Sequence, residues 1–140
     1  MNTNLSRFLD AQQQTYQQAY AEVQAGEKQT HWMWFIFPQL KGLGVSSMSE
    51  FYGVTGSDEA MAYLAHPILG SRLREICQLL MESHTDSAVA IFGTPDYLKL
   101  HSCLTLFAMV EDDNDSIFNQ VINKFFGGNY DQETVSLLLN

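Results

Sequence analysis

Basic residues are scarce in this chain: seven Lys and Arg stand against sixteen Asp and Glu, for a formal net charge of −9. Duplex nucleic acid is held by clustered cations that displace counterions. Here Arg7, Lys28, Lys41, Arg72, Arg74, Lys99 and Lys124 are scattered singly apart from one pair. Neither duplex binding nor docking on an anionic membrane is therefore expected. A single phosphorylated small molecule stays compatible with this charge, since one or two cations and a helix N-terminus suffice for it. No apolar run approaches the roughly 18 residues of a membrane span. There are only two cysteines, Cys77 and Cys103, without metal-ligand spacing. They read as buried thiols, so neither a disulfide framework nor a metal site is expected. The opening MNTNLSRFLDAQQQ lacks a basic stretch followed by an apolar one. A secretory signal is thus not expected, and with reduced thiols the expected location is cytoplasmic. Glycine-rich phosphate loops, GxSxG, HExxH, EF-hand loops and CxxC are all missing, and no cofactor is indicated.

What the chain has is apolar and aromatic material. Hydrophobic residues make up 46% and aromatics 12% of 140 residues, while charged residues reach only 16%. That is enough to bury a core in one domain spanning 1–140 without staples. The apolar residues recur at helical spacing. Leu5, Phe8, Leu9, Gln12, Tyr16, Ala19, Tyr20 and Val23 share a face, and Gly26 stands where a helix would stop. Trp32 to Phe37 is an unbroken apolar run ended by Pro38; with no second strand-like run to pair with it, a short buried helix is expected. Ser46 or Ser47 caps a helix to Tyr52, with Gly53 as its stop. Ser57 caps another ending before Pro67, and Ile68 to Met81 is amphipathic. Ala88 to Phe92 reads as a strand or one buried turn. Thr94 and Pro95 open a helix to about Val110, Asp113 or Asp115 opens the next, and Asp131 begins the last. The fold class expected is all-α, with about seven or eight short helices.

Three segments carry candidate chemistry. His31-Trp32-Met33-Trp34-Phe35-Ile36-Phe37-Pro38-Gln39 holds both tryptophans between a titratable His31 and a polar Gln39. This suits either core or an aromatic wall on which a planar ring stacks, with His31 and Gln39 as polar anchors. In Tyr97 to Phe107, Lys99, His101, Ser102 and Thr105 fall within one arc of about 160° on an otherwise apolar helix. Such an arc is a solvated face or the polar part of a pocket. In Ala65 to Arg74, Arg72 offers an anion fork near a helix start, beside the plainer reading of a solvated arginine. The expected ligand set is Trp32, Trp34, Gln39, Arg72, Lys99 and Ser102. If there is catalysis, His31 or His101 would be the base, and a glycosidic reaction would want a carboxylate such as Glu50 or Glu111.

The stretches NLSRFLDAQ (4–12), HWMWFIFPQLKGLG (31–44), YLAHPILGSRLRE (63–75) and IFGTPDYLKLHSCLTLF (91–107) resemble a bacterial family of small all-helical proteins. Some of its members carry the label "calpastatin". That label implies a long disordered protease inhibitor, which a short aromatic-rich chain is not. The resemblance implies the helical fold and supplies no reaction and no catalytic residues. Two functions are therefore carried forward. One is a site for a small polar or nucleotide-like ligand built from His31, Trp34, Lys99, His101 and Ser102. The other is a non-catalytic interaction module or homo-oligomer, suggested by the apolar tail Val135 to Leu139.

Overall fold

Leu5 to Ala25 has the apolar spacing of a helix that rests on a core, and α1 (Ser6–Ala25) forms there. It ends at Gly26, whose φ of 81° satisfies the last carbonyls in a left-handed turn that costs a β-carbon-bearing residue more. The computed structural model describes residues 5–140. Asn4, and the first four residues of the stretch read for a leader signal, lie outside them. Beyond α1 follow α2 (Met33–Ile36), α3 (Ser47–Tyr52), α4 (Ser57–Ala65) and α5 (Leu69–Glu82). The chain continues through α6 (Ala88–Phe92), α7 (Asp96–Glu111), α8 (Ile117–Phe126) and α9 (Gln132–Leu139). The fold is thus all-α, with nine helices among the described residues rather than seven or eight. The difference lies in the short pieces: Ala88 to Phe92 is a helix of its own, capped by Ser87, whose Oγ accepts from the Ala90 amide at 3.1 Å.

Helix starts follow side-chain oxygen, though not always the expected one. Ser46 caps α3 and Asp131 caps α9 as anticipated. Neither Asp113 nor Asp115 opens α8; Ser116 does, accepting from the Asn119 amide at 3.2 Å. Asp113 instead takes the amide of Asp115, two residues on, at 2.9 Å and makes the preceding turn. Ser57 is the first residue of α4 and caps nothing, with Gly56 before it. Thr94 does not cap α7: Pro95 occupies that position, after a cis Thr94–Pro95 bond. Asp96, in the first turn, is engaged by lysines.

Helix α7 is the central element. Leu100, Cys103, Leu104, Leu106 and Phe107 are fully buried, and α4, α6, α8 and α9 all pack on it. A line of rings runs across the core from α1 to α8: Phe8 meets Tyr63 edge-on at 5.2 Å, Tyr63 meets Phe107 at 5.4 Å, and Phe107 meets Phe118 at 5.8 Å. Both thiols, Cys77 and Cys103, lie buried in this core, and burial pushes both up. Helices α4 and α5 approach so closely at Gly70 that an added β-carbon would lie 2.1 Å from the Leu64 carbonyl oxygen. No helix among the described residues is long and apolar enough to cross a membrane. Among the described residues the one β-bridge is parallel, between Leu40 and Val54, in which Val54 N donates to Gln39 O at 2.9 Å and Lys41 N to Val54 O at 2.7 Å.

Candidate functional site

The two tryptophans have different fates. Trp32, at the start of α2, is fully buried against Phe37 and Phe92. Its indole N–H donates to Glu22 Oε1 at 2.9 Å. Glu22 also accepts from the Gln29 and Thr30 amides, the Thr30 hydroxyl and the Gln18 amide. Burial pushes the Glu22 carboxyl up, but the hydrogen bonds from Thr30, Gln18 and Gln29 outweigh it and hold the pKa at about 2. This staple ties the segment before α2 to α1 and so fixes the position of α2. Trp34, two residues further, is only part-buried and forms one wall of a cleft of about 550 Å³.

The rest of the cleft comes from three places. Gln39 and the 43–46 loop form one side, Leu98, Lys99 and Ser102 of α7 another, and Asp131 and Glu133 at the start of α9 the third. Lys99 Nζ lies 4.4 Å from the centre of the Trp34 ring and 3.1 Å from Asp96 Oδ1. The other oxygen of Asp96 is 2.9 Å from Lys28 Nζ, which in turn lies 5.0 Å from the Trp32 ring centre. One carboxylate thus holds two lysines, each over a tryptophan. Burial pushes the Asp96 carboxyl up, yet the hydrogen bonds and charges of Lys28 and Lys99 outweigh it and leave the pKa below the ordinary value. Ser102 Oγ lies 3.1 Å from Leu98 O and 3.2 Å from Asp131 Oδ2. That same Oδ2 caps α9 through the amide and hydroxyl of Thr134. Asp131 Oδ1 has no hydrogen-bond partner among the described residues.

Gln39 is the unusual member. Its backbone is pinned by the Leu40–Val54 bridge, and the residue is only 9% exposed. Its side-chain amide nevertheless forms no hydrogen bond to the described residues, while every side-chain polar atom wholly shut off from solvent does have a partner. The amide therefore reaches solvent, and Gln39 is among the residues that line the cleft. Beside a part-exposed indole it offers the pairing edge that a planar, amide-bearing ring matches. Charge adds a preference. One ammonium, already held by Asp96, faces Asp131 and Glu133, so the cleft suits a neutral or cationic ligand better than a polyanion.

The structure thus gathers Trp34, Gln39, Lys99 and Ser102 into one cleft and places the other sequence candidates elsewhere. Trp32 belongs to the core. His31 is exposed and does not line this cleft. His101 stacks on Phe126 with ring centres 4.0 Å apart and donates from Nε2 to the Asn129 carbonyl at 2.6 Å. Glu50 pairs with Lys41, and Glu111 makes a two-pronged pair with Arg74. Arg72 lines a separate cavity between α1 and α5. The polar arc of α7 is not a solvated face. Thr105 Oγ1 accepts from the Asp131 amide, and with His101 and Ser102 it docks the turn before α9. Asp131 and Glu133 escape a reading of the sequence, where Asp131 signals only a helix start.

This architecture is shared with a solved protein. The crystal structure of the conserved hypothetical protein Rv1873 from Mycobacterium tuberculosis is similar at 45% sequence identity and a TM-score of 0.93, over 97% of this chain and 96% of that one. No curated protein matches the chain. A family model described as "Protein of unknown function (DUF1810)" matches residues 2–138, nearly the whole sequence, and the chain belongs to that family.

Proposed function

We propose that the Trp34–Gln39–Lys99 cleft binds a small, planar, uncharged polar molecule of the nucleoside type. The observation that carries this is Gln39, a residue only 9% exposed whose backbone is held by a bridge and whose side-chain amide, open to solvent, has no partner among the described residues. In the free protein water meets that amide, and a ligand edge with adjacent donor and acceptor takes the place of water for a net gain of about 0.5–1.5 kcal/mol per hydrogen bond. Trp34 supplies a stacking face, and Ser102 and Asp131 Oδ1 supply partners for hydroxyl groups. Asp131 and Glu133 disfavour added phosphate, so the unphosphorylated form is the better fit.

The test is a fluorescence titration with adenosine, guanosine, nicotinamide riboside and the corresponding monophosphates, checked by thermal shift. Trp32 is shut in the core, so a ligand on Trp34 changes part of the emission only, and Trp34→Phe removes that change. A saturable response weakened about tenfold by Gln39→Leu supports the reading. Responses that Gln39→Leu leaves untouched, or none across the panel, overturn it.

A second reading has one observation in its favour. Val45, 97% exposed, and Leu98, half exposed, flank the same cleft and form an apolar rim that a protein segment would cover. Sedimentation at several concentrations tests the self-association version. A monomer throughout removes that version.

A further inference from the structure

Five of the seven basic side chains stand in ion pairs with carboxylates. A sixth, Lys124, donates to the carbonyls of Leu80, Met81 and Ser83 at 2.7–2.9 Å. Arg72 alone among the described residues has neither: its guanidinium makes one long hydrogen bond, 3.4 Å, to Gln12 Oε1. This is unexpected in a protein of net charge −9, and more so because Glu75 is three residues away on the same helix. That is the spacing at which arginine and glutamate ordinarily pair. The Glu75 carboxylate instead accepts the one proton of the Tyr16 phenol, whose oxygen also lies 3.2 Å from the Arg72 carbonyl oxygen. Burial first, then the hydrogen bond and charge of Glu75, push the Tyr16 phenol up, so it stays a donor at neutral pH.

The ring of the same tyrosine lies under the guanidinium, 5.1 Å from its centre. Gln12, which receives Arg72, is itself buried and fixed, because its Nε2 donates to Phe35 O at 2.7 Å and to Tyr63 Oη at 3.0 Å. Arg72 is therefore supported from two sides, with most of its donors unspent. It borders a cavity of about 690 Å³ whose other walls include Gln13, Gln17, Tyr20 and Ser71. None of these residues lines the Trp34 cleft.

We infer that this cavity is a second binding site, for a small carboxylic acid that carries an amino or hydroxyl group, as α-amino and α-hydroxy acids do. The carboxylate takes the planar fork of Arg72, which matches it with two parallel hydrogen bonds. Glu75 accepts from the amino or hydroxyl group, and the amides of Gln13 and Gln17 leave room for a polar substituent. A phosphate dianion fits less well, because Glu75 stands beside the fork.

The test follows the Arg72 Nε–H resonance in ¹⁵N-labelled protein during titration with L-serine, L-glutamine, lactate, acetate and inorganic phosphate at constant ionic strength. The expected result is a saturable shift with serine, glutamine or lactate, weaker with acetate and with phosphate. Arg72→Lys weakens binding roughly tenfold, since an ammonium lacks the fork. Glu75→Gln, which keeps the Tyr16 hydrogen bond, removes the preference over acetate. The proposal falls if no carboxylate produces a saturable shift, if phosphate binds tighter than every carboxylate, or if Arg72→Lys binds undiminished. The wild-type titration decides by itself should a variant not fold.

Discussion

Glu22 shows how one side chain sets a larger geometry. It is a buried carboxylate in the last turn of α1, a costly position unless the charge is fully hydrogen-bonded. Its donors come from Gln18 in its own helix and from Gln29, Thr30 and Trp32 in the segment that leads into α2. Replacing it with Ala leaves several donors unmet and is expected to lower unfolding free energy by about 3 kcal/mol, measured by urea denaturation. In that variant the position of Trp34 loses its anchor, so ligand-induced fluorescence changes should weaken although Glu22 touches no part of the cleft. Normal binding in a folded Glu22→Ala variant would show that α2 is held by packing alone. Gln39 is the complementary case, a polar group that tertiary structure holds ready and leaves unmatched.

At the scale of elements, two contacts decide how helices meet. Lys124 in the last turn of α8 reaches across to the carbonyl end of α5, where the last turn of a helix runs short of amide donors. Lys124→Met keeps the apolar stem and removes three charge-assisted hydrogen bonds, and is expected to cost about 2 kcal/mol in thermal or chemical unfolding. Loss of less than a few tenths would mean that water replaces the ammonium without penalty. Gly70 is required by closeness and not by backbone angle. A β-carbon there collides with the Leu64 carbonyl, and backbone cannot rotate away as a flexible side chain can. Gly70→Ala should therefore destabilise by several kcal/mol despite alanine's better helix propensity, visible as a large fall in melting temperature. These element-level joints are poorly legible in sequence. Lys124 reads as an ordinary helix-end cation, and Gly70 as a weak spot in an amphipathic helix.

For the whole molecule, the charge balance links stability to pH. The folded pKa of Glu22, about 2, lies below its ordinary 4.5, and Asp96 is lowered in the same direction. A carboxyl whose folded pKa is depressed contributes stability above its unfolded pKa and loses it as pH falls through the folded one. The Glu22 contribution is therefore full above about pH 5 and fades toward pH 2. Urea midpoints should drop over that window, and the gap between wild type and Glu22→Gln should be widest near neutrality and close in acid. A constant gap would show that Glu22 acts through shape and not through charge. Sequence alone determined the helical class and most helix boundaries, because the apolar spacing of α1 and α5 and the caps Ser46 and Asp131 act between residues a few positions apart. It also marked Trp34, Gln39, Lys99 and Ser102 as chemically unusual, since polar groups beside tryptophan or on an apolar helix stand out locally. Only the tertiary structure decided that Trp32 is core and Trp34 a wall, that Asp131 and Glu133 join the cleft, and that Glu75 belongs to Tyr16 and leaves Arg72 without an ion pair among the described residues. Each of those outcomes depends on groups tens of residues apart meeting in space, and helical periodicity carries no information about which face meets which.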